Sequence, residues 1–144
     1  MKAYLDSNII LDVLDENRLC HEDSGMIIEF AKDFSNMLEL VVSVQSMIDV
    51  YYIVQRQKTG TIQYRNFANW CVNHINVRPI GLGEYYEALD SDEKDIEDSS
   101  QIALAQTEHC EVFITSDKEI LKRGKDNYLL YLSPSDFIAR MSEA

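Results

Sequence analysis

The sequence predicts an α/β fold, with helices layered on a mostly parallel sheet. Three observations predict it. Short apolar stretches of strand length alternate with segments whose apolar residues recur at helical spacing, the order expected of βαβ units. The chain has 144 residues, 46% hydrophobic and 26% charged, with five glycines and two prolines. That is enough for one packed core and excludes a disordered or low-complexity chain. No internal repeat or linker interrupts the pattern, so residues 1–144 read as a single domain.

Residues 2–5 are apolar and stop at Asp6-Ser7-Asn8, a first strand ending in a turn. Ile9, Ile10, Val13 and Leu14 then suit a short helix. Residues 21–37 place Met26, Ile27, Phe30, Ala31, Phe34 and Met37 at helical spacing. Residues 38–43 read as a second strand, and 44–57 return to helical spacing through Met47, Ile48, Tyr51 and Tyr52. Gly60 marks a break. Residues 61–74 fit a helix, and 75–80 a short strand at an edge, because Pro79 lacks an amide donor. A short helix around Tyr85–Leu89 precedes an acidic stretch of Asp90, Asp92, Glu93, Asp95, Glu97 and Asp98. Residues 98–109 read as a helix and 111–115 as a strand. A short helix runs from Ser116 to Leu121, and 128–132 form the last strand. Ser133-Pro134 opens a final helix with proline at its first position.

Thirteen basic against 25 acidic residues leave a net charge of −12. Such a chain repels bulk nucleic acid, whose non-specific affinity comes from phosphate neutralisation. A nucleic-acid role therefore needs bound cations or a local basic strip. Cys20, Cys71 and Cys110 are widely spaced and form no CxxC, so zinc and disulfide frameworks are not expected. The opening residues lack the apolar segment of a signal peptide. No apolar run approaches the roughly 18–20 residues that span a bilayer. The expectation is a soluble cytoplasmic protein with reduced thiols and no membrane partner.

Ligands of parallel sheets bind beyond the carboxyl ends of the strands, so the acids there carry the interest. Asp6 closes the first strand, although a turn alone would also favour it. Asp98 opens a helix, where capping is the alternative. It shares a face with Ile102 and Ala105, which points it toward the strand ends. Glu97, one position off, flanks it. Asp117 follows the fourth strand; Ser116 with Glu119 forms a capping-box pattern around it. Asp49 lies early in the helix after the second strand, where Ser46–Asp49 also reads as a capping box. Carboxylates that share a site raise one another's pKa, so such a cluster implies a cation. Oxygen-only ligands point to Mg²⁺ or Mn²⁺. Such ions activate water and stabilise phosphoryl transition states, and would reverse the local field for an RNA substrate.

Leu5-Asp6-Ser7-Asn8-Ile9-Ile10-Leu11-Asp12 resembles the opening motif of PIN-domain ribonucleases. Ser43 to Ile53 resembles their second motif, Asp95-Ile96-Glu97-Asp98 the third, Thr115-Ser116-Asp117 the fourth, and Leu132 to Phe137 the closing segment. The likeness spans nearly the whole chain. It implies a three-layer α/β sandwich and Mg²⁺- or Mn²⁺-dependent hydrolysis of RNA phosphodiesters. For many small members it also implies the toxin half of a VapBC-type toxin–antitoxin pair, with an antitoxin and a homodimer as partners. By position, Asp6, Asp98 and Asp117 would bind metal, and Asn8 with Thr115 or Ser116 would order the site. Asp49 completes the catalytic acids where many members carry Glu, with a side chain about 1.5 Å shorter.

Lys118, Lys122, Arg123 and Lys125 follow the fourth motif, and Arg56, Lys58 and Arg65 bracket Gly60. Lys122 and Arg123 are candidate contacts to RNA phosphates, against the alternative of solvated surface. Tyr51, Tyr52, Tyr64, Trp70, Tyr85 and Tyr86 suit burial or a subunit interface better than base stacking. The competing function is a catalytically silent PIN-like interaction module, which the acidity and Asp49 favour. A receiver domain fits less well. No Asp directly follows residues 38–43, and the strand at 128–132 ends without a Lys. A DNA-specific nuclease shares the same site chemistry.

Overall fold

The computed structural model of the protein describes residues 1–92 and 95–143. Among them, the strands are β1 (Lys2–Leu5), β2 (Glu39–Ser43), β3 (Asn76–Arg78), β4 (Val112–Ile114), β5 (Lys125–Asp126) and β6 (Leu129–Leu132). They form one sheet in the order β3-β2-β1-β4-β6-β5. Every pairing is parallel except that of β5 with β6. The helices are α1 (Ser7–Leu14), α2 (His21–Asp33), α3 (Val44–Arg56), α4 (Thr61–His74), α5 (Leu82–Asp90), α6 (Ile96–Thr107), α7 (Lys118–Leu121) and α8 (Pro134–Ser142).

Strand residues alternate between two cores, as a pleated sheet buried on both faces requires. Ala3, Leu5, Leu40, Val42, Val112 and Ile114 pack against Ile9, Ile10, Ile27, Met47, Val50 and Phe137 of α1, α2, α3 and α8. Tyr4, Val41, Phe113 and Tyr131 face the other way, onto Ile102, Leu104 and Ala105 of α6 and Ile120 of α7. The result is a three-layer α/β sandwich. On the second face Tyr4, Phe113 and Tyr131 occupy matched register positions of β1, β4 and β6. Their rings follow one another at 5.0 and 5.5 Å, an aromatic row through the middle of the sheet.

Several element ends differ from the sequence expectation. Helix α2 stops at Phe34, and a turn carries Met37 out to solvent before Leu38 is buried. Ser43 caps α3, its Oγ accepting from the Ser46 N–H at 2.9 Å, so the expected box led by Ser46 lies inside the helix. Asp95 rather than Asp98 caps α6, and Asp117 rather than Ser116 caps α7. In each case the cap is the last residue with extended backbone, where a side-chain oxygen can reach the free amides. Strand β5 is not anticipated, since a two-residue strand carries no periodicity. Glu93, in the acidic stretch, lies outside the described residues. Tyr51 and Tyr64 pack ring to edge between α3 and α4 at 5.2 Å, while Tyr52, Tyr85 and Tyr86 are exposed.

Helix α1 is fastened to α2 by a buried charge. Asp12 is 2% exposed. It accepts from Arg18 Nε at 2.8 Å and from Ser24 Oγ at 3.0 Å, and the His21 ring meets its carbonyl at 2.7 Å. Breaking a buried pair strands the remaining charge. Because the Arg18 side chain is 36% exposed, Arg18→Met should cost about 2 kcal/mol in urea unfolding, below the full buried-pair penalty. Lys122→Met, which breaks the exposed Lys122–Glu119 pair, should cost less than about 0.5 kcal/mol. Equal costs would remove the Asp12 pair as a fastening.

Candidate active site

The carboxyl ends of β1 and β4 open side by side, and the residues that leave them build the site. The Asp6 N–H donates to the Ile114 carbonyl at 3.1 Å, and the Thr115 N–H to the Leu132 carbonyl at 3.0 Å. The sheet ladder thus sets Asp6 and Thr115 next to each other before any side chain acts.

Asp6 is 4% exposed. It caps α1, and Oδ1 accepts from the Ser7 N–H at 2.7 Å and from Gln101 Nε2 at 3.1 Å. Oδ2 accepts from Thr115 Oγ1 at 2.7 Å and from Asn8 Nδ2 at 3.2 Å. An ionised carboxylate offers about four lone-pair sites, so four donors saturate it. Burial pushes the Asp6 carboxyl up, bonds from Thr115, Ser7 and Gln101 pull it back, and Asp117 pushes it up again. Asn8 and Thr115 bond each other and Asp6 across the loops that follow β1 and β4. The Ser116 N–H donates to Asn8 Oδ1 at 3.3 Å, and the Asp117 N–H to Thr115 Oγ1 at 3.0 Å.

Asp98 sits in the first turn of α6, its N–H donating to Asp95 Oδ1 at 3.1 Å. Because Asp95 caps, the Asp98 carboxylate is released for other work. Burial, then the charges of Asp95, Asp6, Asp117 and Glu97, push it up to about 7. Glu97 is pushed up by burial and then by Asp49, Asp95 and Asp6. Asp6, Asp98 and Asp117 therefore share one electrostatic neighbourhood with Glu97. Asp49, exposed on α3, reaches this group through Glu97.

The basic candidates are placed differently from each other. Lys122 is exposed and pairs with Glu119 at 2.9 Å. Arg123 is partly buried, pairs with Asp126 at 2.8 Å and lies over the Tyr131 ring, which ties α7 to β5. A cleft of about 640 Å³ bounded by Leu14, Arg18, His21, Val54 and Gln63 contains none of the four candidate acids.

Mg²⁺ and Mn²⁺ prefer oxygen donors, which Asp6, Asp98 and Asp117 supply. Among the described residues no three His, Cys, Asp or Glu side chains converge into a ready-made cage. The fit rests instead on the donor set, three carboxylates in one neighbourhood, of which Asp98 is raised by burial first and by its acidic neighbours next, a load that a divalent cation offsets. Asn8, the longest of the four bonds at Asp6, has the least to lose if a cation shares that carboxylate.

Behind Asp6 stand polar residues that the sequence does not announce: Gln101, Ser46, Ser43 and Tyr4 are all buried. Gln101 follows Asp98 by one helical turn, the single spacing signal that could have found it.

The PIN domain family is matched over residues 2–119. A relative, ribonuclease VapC1 of Aquifex aeolicus, is 29% identical over 124 residues, covering 81% of this chain and 82% of the relative. Among solved structures, VapC20 of Mycobacterium tuberculosis, a toxin that cleaves the sarcin–ricin loop, superposes with a TM-score of 0.66 at 11% identity. That match covers 86% of this chain and 96% of VapC20. VapBC2 of Rickettsia felis, bound to a promoter DNA fragment, gives 0.65 at 13% identity, covering 92% and 98% of the two chains. A toxin–antitoxin complex from Klebsiella pneumoniae gives 0.63 at 14% identity, covering 92% and 97%. At these identities the solved structures share the fold.

The raised Asp98 makes a testable statement about pH. Its folded value near 7 lies above the ordinary 3.8. Between the two, the native state binds more protons than the unfolded chain, so stability falls as pH rises through that window. The metal-free protein should melt higher at pH 6 than at pH 8. Asp98→Asn should shrink the difference. A variant with the same pH dependence as wild type would clear Asp98 of this role.

Proposed function

The chain belongs to the PIN-domain family, and from that premise we propose that it is a metal-dependent endoribonuclease, the toxin of a VapBC-type toxin–antitoxin pair. The observation that carries the reading is the buried Asp6 carboxylate, met at the strand ends by Asp98 and Asp117 in one neighbourhood of like charge. The likeness to ribonuclease VapC1 supports the activity. The fold shared with toxin–antitoxin complexes supports an antitoxin partner.

Asp6, Asp98 and Asp117 would hold Mg²⁺ or Mn²⁺, with Glu97 beside them. When bound, the cation supplies a Lewis acid that activates water and offsets charge on phosphoryl oxygens. The protein's own residues do the ordering. Thr115 and Asn8 fix the Asp6 carboxylate, the amide of Ser116 fastens the loop after β4 to Asn8 at the start of α1, and the amide of Asp117 closes that loop on Thr115. No side chain need serve as nucleophile. Lys122 would reach an RNA phosphate by leaving an exposed pair with Glu119, whereas Arg123 would have to leave a partly buried pair with Asp126.

A silent interaction module is the second reading. It is favoured by Asp49, which is exposed and stands where many members carry Glu. Labelled single-stranded RNAs incubated with Mn²⁺, Mg²⁺ or EDTA separate the two. The ribonuclease reading expects metal-dependent cutting that falls at least about a hundredfold in Asp6→Asn and Asp98→Asn, the scale of losing a transition-state electrostatic group. Asp49→Asn should do less harm. Stoichiometric Mn²⁺ binding without turnover on any RNA would favour the silent module.

A further inference from the structure

Gln101 lies in the middle of α6 and is 1% exposed. The residues around it on that helix, Ile102, Ala103, Leu104 and Ala105, are the ordinary fillers of such a position. A buried amide is costly unless each polar atom finds a partner. Here each does. Oε1 accepts from Tyr4 OH at 3.2 Å and from Ser46 Oγ at 3.0 Å, while Nε2 donates to Asp6 Oδ1 at 3.1 Å. Ser46 Oγ accepts in turn from Ser43 Oγ at 2.9 Å and from Ser7 Oγ at 2.7 Å. Ser43 Oγ itself accepts from the Ser46 N–H at 2.9 Å.

Donor counting fixes the orientation of the amide. An ionised carboxylate only accepts, so the nitrogen of Gln101 must face Asp6. A flipped amide would set Oε1 against Asp6 Oδ1. The hydroxyl protons of Ser43, Ser7, Ser46 and Tyr4 all run toward Gln101, and its amide proton runs on to Asp6. The network joins the ends of β1 and β2, the starts of α1 and α3, and the middle of α6.

We propose that Gln101 is a positioning residue: its amide, locked in one orientation by Tyr4 and Ser46, holds Asp6 in the rotamer that serves the metal-dependent site. The proposal rests on the ribonuclease reading in taking Asp6 as a ligand.

The test uses Gln101→Met, which keeps the volume and removes the amide, and Ser46→Ala, which loses a bond to Gln101. The readouts are Mn²⁺ affinity by calorimetry, kcat and KM on RNA, and the Asp6 rotamer in metal-free crystals. Gln101→Met should weaken Mn²⁺ binding about tenfold or more, as the loss of a ligand's hydrogen-bond partner does elsewhere. It should lower kcat with KM for RNA unchanged, and turn the Asp6 carboxylate from its wild-type rotamer. Ser46→Ala should act in the same direction more weakly, and add nothing in the Gln101→Met background. Wild-type Mn²⁺ affinity and an unmoved Asp6 in Gln101→Met, with only a lower Tm, would overturn the proposal. So would a Ser46→Ala effect that adds in full. If the wild type binds no Mn²⁺, the ribonuclease reading fails by itself. The Asp6 rotamer in Gln101→Met then decides the positioning role alone: a turned carboxylate upholds Gln101 as the residue that orients Asp6, an unmoved one overturns it. Should Gln101→Met fail to fold, Ser46→Ala decides on the same readouts.

Discussion

The burial of one carboxylate at the point where two central strands end is the constraint on which the rest of the site depends. A charge taken out of water must find hydrogen bonds, and Asp6 finds four. They come from α1, from α6 and from the loop after β4. The four donors therefore tie three separate elements to the end of β1. The polypeptide closes around Asp6 as much as around its apolar cores.

That closure explains the company kept by the second core. Tyr4 lies one residue before the end of β1, stacked on Phe113, with its hydroxyl delivered to Gln101. An aromatic ring in the sheet thus ends as a donor beside the site. Its phenol is pushed well above its usual value by burial, so it stays a donor through the working range of pH. The apolar packing of the sheet and the polar support of Asp6 share this side chain.

The strands and layers were legible because apolar alternation and helical spacing follow directly from two-sided burial. The places of Asp6 and Asp117, just past β1 and β4, were legible because each closes an apolar run, and that of Asp98 because of its helical phase. The caps were less so. Asp95 and Asp98 both suit the start of α6, and only the backbone decides that Asp95 caps and Asp98 is spared. Gln101 and Ser46 were not legible. Ser46 reads as a helix cap, and Gln101, although it shares the face of Asp98 and Ala105, has no partner that spacing names. Arg123, a basic residue near the fourth motif, pairs with Asp126, a partner that the motif itself does not name.

The sheet ends in two unequal margins. One is β3, three residues long and halted by Pro79; the other is β5, two residues long, turned back antiparallel between Gly124 and Asn127, both in the left-handed region. Neither margin offers a length of free backbone on which a foreign strand could grow, and β5 presents the charges of Lys125 and Asp126. A parallel sheet this apolar would otherwise be a template for aggregation. With its margins blunted and like charge spread over its surface, the chain can stand alone without sticking to its own copies edge to edge.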